Sequence, residues 1–287
     1  MATRTITENV NQAVQDFDNI KQAIIDKGIE VPNGTPTSEY ADKIGTIKSN
    51  GLDTSTVTDF SNFAKNNRFT EEQLKKIDTS IGTDFGYMFD GCTSLTTITI
   101  PQLYTSKGTN FGFMFRGCSK LTTVPQLDTS NGTSFSGMVS YCSSLTTIPQ
   151  LDTSIGTKFD YMFGDCRSLT TIPQLDTSNG TNFYGMFSGC RSLTTIELTS
   201  FVSSDNIFYN CSALENLTVT GTITVNNNYL KLSYSPKLTV DSLMSVINAL
   251  SDNTGKTTYT VTLGATNLAK LTDEQKQIAI DKNYTLA

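Results

Sequence analysis

The sequence predicts an α/β repeat solenoid, because one motif recurs at a nearly fixed period through the middle of its 287 residues. The motif reads DTSIGTKFDYMFGDCRSLTTIPQL in residues 152–175, and its copies begin 24 to 26 residues apart, at Asp78, Tyr104, Asp128, Asp152 and Asp176. A fixed period in the twenties is typical of stacked coils, each of which buries its apolar side against its neighbours. The low hydrophobic content of 37% also suits coils with a narrow apolar interior.

Each repeat carries its apolar residues at fixed positions. Phe159, Met162, Phe163 and Cys166 are spaced 3, 1 and 3, which predicts one face of a short helical turn. The two threonines of the following LTTI segment favour a short strand. We expect these strands to pair in parallel from coil to coil, about 4.8 Å apart. The Asp-Thr-Ser-x-Gly-Thr segment predicts a turn, in which the glycine supplies a backbone conformation that other residues resist.

Three regions are predicted: a helical docking or oligomerisation segment (1–50), the solenoid (51–240) and an α/β cap (241–287). The first region carries a heptad seam formed by Val10, Ala13, Phe17, Ile20 and Ile24. Two heptads are short for a coiled coil, so a helix lying against the first repeat or another subunit is an equal alternative. In the cap we expect a helix near Leu243–Leu250, a strand in TTYTVTLG, and a last helix that begins at Thr272 with a Gln275 capping box.

The recurring polar residues are interpreted first as structural. The six cysteines share one repeat position, so we expect buried free thiols, with disulfides or metal ligation as the alternatives. The recurring aspartates, among them Asp53, are expected to bond their own turns, with calcium ligation as the alternative. The chain has no histidine, which excludes Ser-His-Asp triads and Cys-His nucleophiles. We therefore expect no enzyme, no catalytic or metal residues and no cofactor.

The candidate ligand face is the threonine pair of each repeat, of which at least one member should face solvent. A solvated sheet face without a ligand is the alternative. Tyrosines and phenylalanines that follow the repeat phenylalanine could add stacking contacts. The ten threonines are Thr96, Thr97, Thr122, Thr123, Thr146, Thr147, Thr170, Thr171, Thr194 and Thr195.

Charge and hydropathy limit the classes of partner that the chain is expected to bind. The net charge of −6 lacks a basic run, so we expect no nucleic-acid binding. No apolar segment has membrane-spanning length, and the first residues lack the apolar region of a signal peptide, so we expect no membrane insertion and assembly in a cytoplasm.

The copies FDYMFGDCRSLTTIPQLDTS and FYGMFSGCRSLTTI resemble the leucine-rich repeats of the BspA-like surface-protein family, over about residues 52 to 240. The opening NVNQAVQDFDNIKQAIIDKGIEVPNGTPTSEYADKI and the last fifty residues are similar to tail and minor structural proteins of bacteriophages. The resemblance implies a leucine-rich-repeat-like solenoid in a virion protein: an accessory fibre, tail appendage or decoration for host attachment.

Under this interpretation the partners are other virion proteins, through the N-terminal segment, and a host-surface glycan or protein. We expect a homo-oligomer, with a trimer as the form that the seam favours. The alternatives are a bacterial surface adhesin or interaction module at the cell surface, and a capsid-stabilising decoration protein without a ligand.

Overall fold

The computed structural model describes Thr54, residues 57–67, Leu74, residues 77–97 and residues 103–287. The chain divides into two units between Leu52 and Asp53. The predicted seam at Val10, Ala13, Phe17, Ile20 and Ile24 lies outside the described residues, as does Asp53.

Successive repeats lie side by side in parallel register. One line of parallel bridges joins the same position of six coils, and a second line joins threonines of the LTTI segments, Thr123 to Thr147 and Thr171 to Thr195. The first line comprises Asp59, Asp84, Asn110, Ser134, Lys158 and Asn182. Because Asp59 pairs with Asp84, residues 57–67 form a coil of this stack. Assignment of the stack to the leucine-rich-repeat class stays a prediction.

The segment from the repeat phenylalanine to the cysteine is not the short helical turn that its spacing predicted. Met162 N–H donates to Phe159 O within the coil (3.1 Å), but Tyr161 N–H donates to Tyr184 O of the next coil (2.8 Å). A helix would direct every N–H along its own axis. Here alternate N–H groups bond the neighbouring coil, and positive φ angles at Tyr161 and Asp165 make that possible. The prediction was wrong because the 3, 1, 3 spacing fits both arrangements.

The interior consists of stacked aromatic rings. Phenylalanines of six successive coils form one column, in which neighbouring ring centroids lie 5.4 to 5.8 Å apart and the planes are within 11° of parallel. These residues are Phe60, Phe85, Phe111, Phe135, Phe159 and Phe183, and all are fully buried. A second column contains Phe163, Phe187 and Phe208. Each coil thus buries its rings mainly against the coils on either side.

The turn glycine that recurs in each repeat has a different role from the expected one. Gly156 is not among the residues with positive φ. A Cβ atom placed on Gly156 would lie 2.5 Å from Cζ of Phe159, so the position requires glycine because the ring approaches the backbone closely. The same approach recurs at Gly132 beside Phe135.

Most of the regular elements among the described residues lie after residue 194. The strands are β1 (Thr195–Leu198), β2 (Phe201–Val202), β3 (Asn216–Val219), β4 (Ile223–Thr224), β5 (Tyr259–Val261) and β6 (Tyr284–Leu286). The helices are α1 (Val240–Ala249), α2 (Ala265–Leu268) and α3 (Asp273–Asp281), and a 3-10 helix spans Lys65–Asn67. Strands β1 and β3, β2 and β4, and β5 and β6 pair in parallel. Among the described residues, no helix has the length and apolar content required to cross a bilayer.

The predicted elements after residue 241 are confirmed. Helix α1 covers the expected segment, β5 lies within TTYTVTLG, and Thr272 and Gln275 form the capping box of α3. The Lys282 ammonium donates to the carbonyl oxygens of Ile247, Asn248 and Leu250, and so satisfies the end of α1.

Candidate binding surfaces

The aspartate and threonine of each Asp-Thr-Ser segment hold the turns and join the coils. The carboxylate of Asp152 accepts from Ser154 N–H (3.0 Å) and from the Ser154 hydroxyl (2.7 Å). These bonds from Ser154 hold the pKa of Asp152 below its usual value. The buried Thr129 hydroxyl donates to Asp152 O of the next coil (2.8 Å). Among the described residues, no group of three or more His, Cys, Asp and Glu side chains converges on a metal-binding position.

The cysteine column lies inside the stack. All six thiols are buried and free. The Cys166 Sγ–H donates to Val139 O of the preceding coil (3.0 Å), and the same bond recurs along the column. Burial raises the pKa of Cys166, and it raises the pKa of Cys211 to about 12. Both thiols are therefore protonated at neutral pH, which makes them poor nucleophiles and poor metal ligands.

The threonine pairs face outward with both members. Nine of the ten candidate threonines are exposed, and Thr194 is half-buried. The hydroxyl of the first threonine of a pair bonds the preceding coil, as when the Thr146 hydroxyl donates to Thr122 O (3.3 Å). The hydroxyls of Thr123, Thr147 and Thr171 bond no other residue in the described part of the chain. Parallel bridges join Thr123 to Thr147 and Thr171 to Thr195, and strands paired in this way lie about 4.8 Å apart, so the hydroxyls recur from coil to coil on one face.

The two kinds of threonine should respond differently to replacement by valine. Thr129→Val removes the buried hydroxyl that donates to the Asp152 carbonyl of the next coil, so we expect a loss of about 1–2 kcal/mol in the free energy of unfolding. Thr123→Val removes a hydroxyl that contacts solvent, so we expect a change within about 0.5 kcal/mol. Urea denaturation of both variants measures the difference. Equal losses would contradict the assignment of one column to stability and the other to a free surface.

The aromatic candidates divide into two groups. Tyr87 and Phe113 are half-buried and stack on each other at 4.8 Å, with the Arg116 guanidinium 5.2 Å from each ring. Tyr161 and Tyr184 are exposed and meet edge to face at 5.2 Å. The first group is therefore structural and the second is available to a ligand.

Sequence reasoning missed Tyr209 and Tyr234, which are exposed and meet edge to face at 4.7 Å. They lie where the repeat pattern decays, so no repeated column drew attention to them. Tyr209 could have been found from the sequence, because it is a large residue at a repeat position where the two preceding coils carry the small residues Gly164 and Ser188.

These features define a protein of stacked repeats in which the aspartates hold their own turns, the cysteine and buried threonine columns bond coil to coil, and other threonine and tyrosine side chains are exposed. The chain belongs to the family described as "Mycoplasma protein of unknown function, DUF285", which matches residues 38–148 and 122–220. Neither the curated proteins nor the solved structures contain a match to the chain.

Proposed function

We propose that the chain is a bacteriophage virion protein, an accessory fibre, tail appendage or decoration, that displays a BspA-like, leucine-rich-repeat-like solenoid for attachment to the host surface. The observation that carries this proposal is the exposed threonine face on a stack whose other polar columns are used internally. A rigid surface with repeated hydroxyls suits recognition of an extended glycan or protein, because little conformational entropy is lost on binding.

The mode of action is binding and not catalysis. The pKa values of Cys166 and Cys211 are raised, and the lowered pKa of Asp152 keeps that group an ordinary ionised carboxylate. Neither state is the one that a nucleophile or a general acid requires near neutral pH. The recurring acids hold turns instead.

The virion context draws its support from the two flanking segments. Residues 9–44 and the last fifty residues resemble phage tail and minor structural proteins, and the N-terminal segment is the proposed docking site for other virion proteins. Its apolar seam of Val10, Ala13, Phe17, Ile20 and Ile24 fits a homo-oligomer, with a trimer as the proposed state.

Deletion of residues 1–50 tests the docking role. Particles assembled with the truncated chain should lack it, whereas particles with the full chain should contain it, as measured by mass spectrometry of purified particles. Undiminished incorporation of the truncated chain would refute docking through this segment. Antibodies against residues 103–200 should slow adsorption to host cells; unchanged adsorption would favour a decoration protein without a ligand.

A bacterial surface adhesin is the second candidate, and the family match favours it, because the family is described from Mycoplasma, a cellular organism. The same exposed threonine face would then contact another cell or an extracellular protein. Neighbouring genes separate the two candidates: capsid and tail genes beside the coding sequence support the virion protein, and export genes support the adhesin.

A further inference from the structure

Four exposed tyrosines form a surface that the repeat threonines do not include. Tyr161, Tyr184, Tyr209 and Tyr234 each expose 38 to 40% of their area. We call this set the tyrosine surface. Its two edge-to-face pairs belong to neighbouring coils, since Tyr161 N–H donates to Tyr184 O and the Tyr209 ring meets the Tyr234 ring at 4.7 Å.

Glycine in the next coil lets the ring of Tyr161 lie against the backbone while the ring keeps 40% of its area exposed. The next coil carries Gly185 at the position equivalent to Tyr161, and a Cβ atom there would lie 2.8 Å from the Tyr161 ring. In the earlier coils the equivalent neighbours are Tyr87 and Phe113, whose rings stack in parallel and are covered by Arg116. No cation covers the ring of Tyr161 or Tyr184 among the described residues. Rings at this repeat position are therefore covered by Arg116 at Tyr87 and Phe113, whereas the ring of Tyr161 is exposed to solvent.

Polar groups lie beside the open rings. Asn206 Nδ2 donates to the Tyr184 hydroxyl (3.3 Å), and the Asp205 carboxylate pairs with the Lys231 ammonium (3.1 Å). All three polar side chains retain partial exposure. The arrangement combines aromatic faces with a carboxylate, an amide and an ammonium at their edges, and the two charges largely neutralise each other.

We propose that the tyrosine surface binds a neutral glycan. The C–H face of a sugar ring carries partial positive charge and packs on the electron-rich face of a tyrosine. Sugar hydroxyls both donate and accept, so they satisfy Asp205, Asn206 and Lys231 together. The site is separate from the threonine pairs and does not depend on virion membership, so it goes beyond the function proposed above.

Two other ligands that stack on tyrosine fit this surface less well. Single-stranded nucleic acid requires a basic groove beside its stacking rings. Here Asp160, Asp165 and Asp205 lie along the surface, and the chain carries a net charge of −6. A proline-rich peptide lacks backbone N–H groups at its prolines, so it offers few donors to the Asp205 carboxylate.

Variants that preserve the fold can be chosen by introducing the residue that another coil carries at the equivalent repeat position. Tyr161→Asn introduces the residue found at the equivalent positions Asn62 and Asn206, and asparagine tolerates the positive φ of this site. Tyr184→Ser introduces the residue of the equivalent Ser136. The matched control is Tyr104→Asp, which replaces a tyrosine of 50% exposure outside the tyrosine surface with the residue of its sister coils.

The test titrates the purified full chain with neutral gluco-, manno-, galacto- and N-acetylglucosamine oligosaccharides, a proline-rich peptide and a thymidine oligonucleotide. The chain has 11 tyrosines and no tryptophan, so a change in tyrosine absorbance on adding a saccharide reports a change around the tyrosines, and calorimetry measures binding of the oligonucleotide, whose bases absorb in the same range. We expect saturable binding of at least one neutral oligosaccharide, weakened about tenfold by Tyr161→Asn with Tyr184→Ser. Binding by Tyr104→Asp should stay within twofold of the original chain.

Three results would overturn the proposal: no neutral oligosaccharide binds, the peptide or the oligonucleotide binds in its place, or Tyr104→Asp weakens binding as much as the double variant. Circular dichroism establishes that the variants are folded. Because the assay uses the isolated chain, its failure is distinguishable from failure of virion incorporation, which is measured on particles.

Discussion

Replacing Phe159 by alanine should lower the free energy of unfolding by about 3–5 kcal/mol, the largest effect expected for a single substitution in the stack. The ring is fully buried and lies between Phe135 at 5.7 Å and Phe183 at 5.4 Å. Its removal leaves a cavity that neither neighbour can fill, since both rings are held by further coils. Gly156 cannot compensate because it has no side chain.

Urea denaturation followed by circular dichroism measures this loss. The matched control is Phe163→Val, which introduces the residue that the preceding coil already carries as Val139 in the second aromatic column. We expect this variant to lose about 1–3 kcal/mol, less than Phe159→Ala. A loss below about 1 kcal/mol for Phe159→Ala would contradict the stacked interior.

Asp90→Asn should produce the second large effect, a loss of about 1–3 kcal/mol. The buried Asp90 carboxylate accepts two bonds from Arg116, at 2.8 and 2.9 Å, and pairs with Lys65 at 3.1 Å. An asparagine can accept at one oxygen only and carries no charge. Both cations are about one third exposed, so solvent reduces the effect below that of a fully buried pair.

The loss should depend on pH in one direction. Burial alone would raise the pKa of Asp90, but the bonds from Arg116 and Lys65 outweigh it and hold the pKa below its usual value. The stabilisation is therefore complete above about pH 4, where an unfolded aspartate is ionised, and is lost as pH falls through the lower pKa of the folded protein. The difference between the original chain and Asp90→Asn should shrink from pH 7 to pH 3.

Asp165→Asn is the control for Asp90→Asn. Asp165 pairs with Arg167 at 3.1 Å, but this pair is more exposed, so we expect a loss of no more than about 0.5 kcal/mol. Asparagine also tolerates the positive φ of this position. Equal losses at Asp90 and Asp165, or a loss at Asp90 that does not change with pH, would refute the role assigned to the Asp90 ion pairs.

Much of the architecture could be predicted from the period, because positions one repeat apart must share an environment when coils stack. Buried Phe159, Met162, Phe163 and Cys166, and the outward threonines, follow from that rule. The local backbone could not be predicted, because spacing along one repeat does not reveal that alternate N–H groups bond the next coil. That arrangement requires a positive φ angle at Tyr161, and a bulky residue such as tyrosine rarely adopts one, so the residue type gives no hint of this conformation.

The candidate binding sites were harder to predict from the sequence than the buried positions were. Asp90 and Arg116 occupy equivalent positions in successive coils, but the next three coils carry the small residues Ser140, Gly164 and Ser188 there, so the column appears unremarkable until the register is known. The tyrosine surface depends on Gly185 of the coil after Tyr161, since a side chain at Gly185 would collide with the Tyr161 ring. The ligand, the virion location and the oligomeric state remain proposals, because they depend on other molecules.

We propose that this chain is displayed on a phage particle, docked through its first fifty residues and with its repeats exposed to solvent. Mass spectrometry of purified particles, followed by imaging of antibody bound to the repeats, tests it most directly. The account predicts that the chain is present in particles and that antibody decorates their outer surface at a fixed position. Absence of the chain from purified particles, together with antibody labelling of bacterial cells, would contradict it.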